Sequence, residues 1–98
     1  MIACYILFSP AFEKFYIRVT QDDIDSRLEK HNNKLYGANT STAFTNDWEI
    51  FYRIECSSFS QAVNIERHIK KMKSKIYITN LKKFPEISQK LYRKYLST

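Results

Sequence analysis

Apolar and polar positions alternate from the start of the chain. Ile2, Cys4, Ile6 and Phe8 fall on one side and Ala3, Tyr5 and Leu7 on the other, until Ser9-Pro10 closes the run. This two-residue period predicts a strand. It returns at Phe15, Ile17 and Val19 against Tyr16, Arg18 and Thr20, after a linker short enough to make the pair an antiparallel hairpin. Setting Phe8 opposite Phe15 puts Ile6 opposite Ile17 and Cys4 opposite Val19, a wholly apolar set. The other face then pairs Leu7 with Tyr16 and Tyr5 with Arg18. A slip of one residue would scatter this arrangement, so the pattern selects one register.

Beyond Gln21 the period lengthens. Residues 22–32 read as a helix with Asp22 as N-cap, Asp25 in its first turn, Ile24 and Leu28 as the buried stripe, and Arg27 and His31 one turn apart on a shared face. Residues 33–47 form a long polar stretch with the sole glycine, Gly37, and several hydroxyls, expected to be a loop. Strand period resumes from Trp48 to Cys56. Ser57-Ser58 then caps a helix at about 59–73, whose stripe is Ala62, Ile65, Ile69 and Met72, with Glu66 at its border. Residues 75–83 continue as a short helix or turn, Phe84-Pro85 is a break, and a last helix at about 86–96 buries Ile87, Leu91 and Tyr95. The expected architecture is α+β: a three-stranded antiparallel sheet flanked by helices, with an added C-terminal helix.

Ninety-eight residues suit one domain spanning 1–98, with a core over about 1–83. Charge changes the picture more than size does. Residues 1–59 carry six Lys/Arg against eight Asp/Glu, whereas residues 60–98 carry ten against two, so the basic excess lies in the second half. Such an asymmetry suits a polyanion, most often nucleic acid, although a solvated helical surface gives the same count. Cys4 and Cys56 sit in apolar strand patterns without zinc-ligand spacing. The apolar run at 2–8 is too short for a signal peptide or a membrane span. A cytoplasmic protein with reduced thiols is the resulting expectation.

The order of these features resembles the GIY-YIG endonucleases, whose first strand carries GIY, second strand YIG, next helix an arginine and a later helix a glutamate. Here the first motif is Ala3-Cys4-Tyr5, the second Tyr16-Ile17-Arg18, the arginine Arg27, and the glutamate Glu66 in NIERHIKKMKSK. The likeness is to small single-domain members, related to the nuclease half of the bacterial excision-repair enzyme. It implies DNA cleavage, with repair of branched or damaged DNA as its setting. It also implies a magnesium (or manganese) ion held by Glu66 and waters, since magnesium gives up water reluctantly. On this pattern Tyr16 orients or deprotonates the attacking water with support from Tyr5, Arg27 clamps the scissile phosphate, and His31 assists proton transfer or contacts phosphate. Arg18, Lys34, Lys70, Lys71, Lys73 and Lys75 are the expected nucleic-acid contacts, and a monomer or weak homodimer the expected state.

Each residue also has an ordinary reading. Glu66 with Lys70 and Asp23 with Arg27 are simple helical i, i+4 pairs. The departures from the pattern are Ala3 and Arg18 in place of the two glycines. An arginine where glycine allows close approach either adds a phosphate contact or silences the site, leaving a nucleic-acid-binding module. A third reading, a peripheral membrane protein using the basic last helix, is disfavoured by the lack of a large apolar face there.

Overall fold

The computed structural model describes residues 1–33 and 42–96. Its elements are β1 (Ala3–Ser9), β2 (Lys14–Thr20), α1 (Ile24–Asn32), β3 (Glu49–Glu55), α2 (Phe59–Met72), α3 (Lys75–Lys83) and α4 (Pro85–Lys94). The sheet is antiparallel in the order β2-β1-β3, so the most apolar strand is central and both its neighbours are edges. The β1–β2 register is the one that the alternation selects, from Phe8 opposite Phe15 to Tyr5 opposite Arg18. On the β3 side the register shifts between Ile6 and Leu7, an irregularity that leaves Phe51 without a partner on β1.

The two faces of β1 define two layers. Cys4 and Ile6, with Ile17 and Ile54, pack against Ile65 and Ile69 of α2, Ile78 and Leu81 of α3, and Leu91 of α4. Ala3, Tyr5 and Leu7 pack against Ile24 of α1 and Trp48. Isoleucines and leucines from three helices thus cover one face, while the α1 face is small and aromatic.

Several local expectations need correction. Asp23, not Asp22, is the N-cap of α1, its carboxylate accepting from Ser26 N. Asp22 is held outside the helix, where its own N–H donates to Thr20 Oγ1. Met72 is 45 % exposed instead of closing the α2 stripe. The stripe stops at Ile69 because the chain leaves the helix through Lys73 in the left-handed conformation (φ 48°, ψ 41°). Residues 75–83 are a helix capped by Ser74. The last helix starts at Pro85 and ends at Lys94, so Tyr95 is its C-cap and only half-buried. Cys56 is likewise only half-buried.

One polar side chain missing from the expected core holds α4 in place. Gln61 is fully buried; its Oε1 accepts from Ser57 N at 2.7 Å and Ser57 Oγ at 3.0 Å, and its Nε2 donates to Tyr92 O at 2.7 Å. Ser58 Oγ in turn accepts from Gln61 N. Ser58-x-x-Gln61 is therefore a capping-box variant whose glutamine also caps the end of α4. The His68 Nδ1–Tyr95 hydroxyl hydrogen bond, 3.0 Å, and Tyr52 bonded to Ser88 complete the docking of α4.

Candidate active site

On the α1 face of the sheet, strand alternation sets Tyr5, Tyr16, Arg18 and Thr20 side by side, Tyr5 directly across from Arg18. Tyr5 is fully buried, and its hydroxyl is hydrogen-bonded to His31 Nε2 at 3.1 Å. His31 Nδ1 is bonded to Thr42 Oγ1 at 2.9 Å. Both ring nitrogens are thus engaged, as one donor and one acceptor of a neutral imidazole. Burial, then the Arg27 and Arg18 cations, hold His31 below the ordinary histidine range. The residue is 5 % exposed. The half-buried ring of Tyr16 stands edge-on to His31, centroids 5.3 Å apart, with Trp48 at 6.2 Å.

Arg27 lies one helical turn before His31. Its Nε donates to Thr20 Oγ1 at 3.1 Å and lies 3.8 Å from the Asp22 carboxylate. The expected Asp23–Arg27 pair is thereby replaced: Asp23 caps the helix and Asp22 takes the arginine. Arg18 is exposed on the same face.

Glu66 comes from the other layer. α2 packs on the Cys4/Ile6/Ile17 face, and the described partner of Glu66 is Lys70 at 3.7 Å, the glutamate side chain being 15 % exposed. Burial is the main cause that pushes the Cys4 thiol well above its usual range, with Cys56 and then the nearby Glu66 carboxylate adding to it. Cys4 pairs with Val19, next to the Thr20 that holds Arg27. Glu66 therefore belongs to the layer opposite the one that holds Arg27. Among the described residues no group of three or more His, Cys, Asp or Glu could hold a metal ion. Glu66 offers one carboxylate, and the Lys70 ammonium beside it has no lone pair to give a cation.

The basic residues divide. Lys70, Lys73 and Lys75 join Lys14 around a cavity of about 280 Å³ between β2, α2 and α3, and Lys75 Nζ also donates to Glu13 O. Lys71 lies elsewhere, with Arg67 and Lys94 between α2 and α4. Lys34 lies outside the described residues, as does Gly37. Two hydroxyls of the 33–47 stretch turn inward: Thr42 and Thr45 are 2 % and 8 % exposed. Thr42 O also accepts from Trp48 Nε1, and Asp47 gathers Thr45, Ser9 and Ala11 N. Sequence reasoning missed Thr42, Trp48 and Asp22 as site residues. Trp48 alone carried a signal, as a large aromatic opening a strand.

The family model described as GIY-YIG catalytic domain matches residues 1–82. No curated protein and no solved structure matches the chain.

Proposed function

The chain belongs to the GIY-YIG family, and we propose that it is a magnesium-dependent endonuclease hydrolysing DNA phosphodiester bonds, with branched or damaged DNA as substrate. The observation that carries this reading is the sheet face on which Tyr5, Tyr16, His31 and Arg27 are gathered. The family implies nuclease chemistry on nucleic acid; the metal, the substrate and the residue roles are our reading.

In that reading the guanidinium of Arg27, aimed by Thr20 and Asp22, holds non-bridging oxygens of the scissile phosphate. Tyr16, the more exposed of the two tyrosines, accepts a hydrogen bond from the attacking water and draws its proton away. Arg18, two residues on along β2, and Arg27, held by Thr20, bring positive charge to the same face. Buried Tyr5 and neutral His31 act as positioning residues: the Tyr5–His31–Thr42 chain fixes the ring against which Tyr16 packs. Glu66 with waters holds the magnesium or manganese ion, which when bound supplies positive charge to the phosphoryl and leaving oxygens. Lys14, Lys70, Lys73 and Lys75 line the backbone path beside it.

The alternative, a silenced binding module, rests on Arg18 at the glycine position of YIG. Its exposed side chain favours the active reading, because a solvent-facing guanidinium adds a phosphate contact without filling the buried cluster. The test is nicking of supercoiled plasmid with magnesium by wild type, Glu66→Ala and Arg18→Gly. Nicking by wild type that Glu66→Ala abolishes supports the enzyme. Nicking by Arg18→Gly alone supports the silenced module. No nicking by either refutes the assignment as a nuclease for this substrate.

A further inference from the structure

The appended helix α4 lies beyond the residues that the family model matches, and it creates a second cationic surface. Between α2 and α4 is a groove of about 500 Å³ lined by Asn64, Arg67, His68, Lys71, Met72, Lys94 and Tyr95, with no acidic side chain among them. An adjoining cavity of about 350 Å³ adds Lys90 on the same side of α4. Two helices thus contribute cations to one concave strip, and the Gln61–Tyr92 and His68–Tyr95 hydrogen bonds fix their relative position. Like charges gathered without acids repel one another in the free protein, a cost that a bound polyanion removes.

This strip does not belong to the site already described. At 3.6 residues per turn, Arg67 and Lys71 stand about 100° and about 140° around α2 from Glu66, whereas Lys70 and Lys73 stay within about 40° of it. A strand seated against Glu66, Lys70 and Lys73 does not pass through the groove beyond Arg67.

We infer that the α2/α4 groove, through Arg67, Lys71, Lys90 and Lys94, grips the phosphate backbone of a second DNA segment, separate from the one presented for cleavage. The inference rests on the reading that DNA is the substrate. It gives branched DNA a physical basis: one arm at the tyrosine face, another against α4. The contacts are to phosphate, so they are independent of sequence and sensitive to salt.

The test is an amide NMR titration of the full chain with a short DNA duplex at low salt. Two separate sets of perturbed resonances are expected, one at 16–20 and 27, the other at 67, 68, 71 and 90–95. Perturbation of the first set alone overturns the inference and leaves the nuclease reading standing. Perturbation of the second set alone supports the inference and removes the tyrosine face as the DNA site. No perturbation overturns both. In the companion measurement, Arg67→Gln/Lys94→Gln lowers the slope of log affinity against log salt by roughly 1.8, about 0.9 per lost phosphate contact, while Arg67→Lys/Lys94→Arg preserves it. An unchanged slope in the glutamine variant overturns the inference, as does binding to phosphatidylserine vesicles with none to duplex.

Discussion

Replacing Gln61 by leucine removes the link that couples the start of α2 to the end of α4 while keeping the volume filled. Three hydrogen bonds disappear, to Ser57 N, Ser57 Oγ and Tyr92 O. The Ser57 hydroxyl is able to turn to water, so its loss is small. The other two partners are backbone groups at helix ends, which the helices themselves leave unpaired. A buried polar group left unsatisfied costs about 1–3 kcal/mol; Ser57 is exposed and rehydrates, Tyr92 is half-buried, so the loss is roughly 1–3 kcal/mol. For a domain of this size 1 kcal/mol is about 4–8 °C in Tm, and the expected drop is on the order of 5–20 °C. Urea unfolding followed by circular dichroism reads this as a lower midpoint with an unchanged slope. Ser58→Ala, which removes only the N-cap bond to Gln61 N, is expected to cost about 1 kcal/mol. A Gln61→Leu loss below about 0.5 kcal/mol, or one equal to that of Ser58→Ala, refutes the argument that both helix ends depend on this side chain.

Two further outcomes follow from the buried titratable groups. Burial first, then neighbouring cations, lowers the titration of both His31 and His68. The unfolded chain therefore takes up protons near about pH 6.5 that the folded chain refuses, and stability is expected to fall as pH drops from 7 to 5, levelling only below the folded values. Urea midpoints across that range check it, and a flat or rising profile contradicts it. Burial also raises both thiols, Cys4 above all. Iodoacetamide at pH 8 is expected to leave Cys4 unmodified in the folded protein and to alkylate both cysteines in urea, read by mass spectrometry; rapid native labelling of Cys4 counts against its place at the core.

The sheet was legible in the sequence because burial on both faces of β1 leaves one register in which the apolar partners meet. Phe8–Phe15, Ile6–Ile17 and Cys4–Val19 follow from alternation alone. Helix ends were less legible. Asp22 and Asp23 are equally good caps by type, and the choice falls to Thr20, whose hydroxyl takes the Asp22 N–H and the Arg27 Nε. At the site, the tyrosines, arginine and histidine were readable from order and spacing. Thr42 was not, because nothing in a polar run marks the one hydroxyl that turns inward to His31. The division of the lysines was hidden in a similar way. Lys70 and Lys71 are neighbours in sequence, yet the helix turns one toward β2 and the other toward α4.

That division bears on why Arg18 is tolerable where the motif has glycine. A glycine is required when the backbone of β2 must itself approach the substrate. Here β2 is an edge strand, Arg27 is held at its C-terminal end by Thr20, and Arg18 is exposed between Tyr16 and Thr20. A phosphate drawn to that edge meets the Arg18 side chain before it meets the backbone. On the proposed reading the arginine would substitute a charged arm for a close approach. Tyr16 lies on the same strand face as Arg18, whereas Glu66 stands on α2, paired with Lys70. If the chain cuts DNA, the strain of this substitution falls on the Glu66 side of the site, and in the nicking assay Arg18→Gly shifts the magnesium requirement more than it shifts DNA affinity.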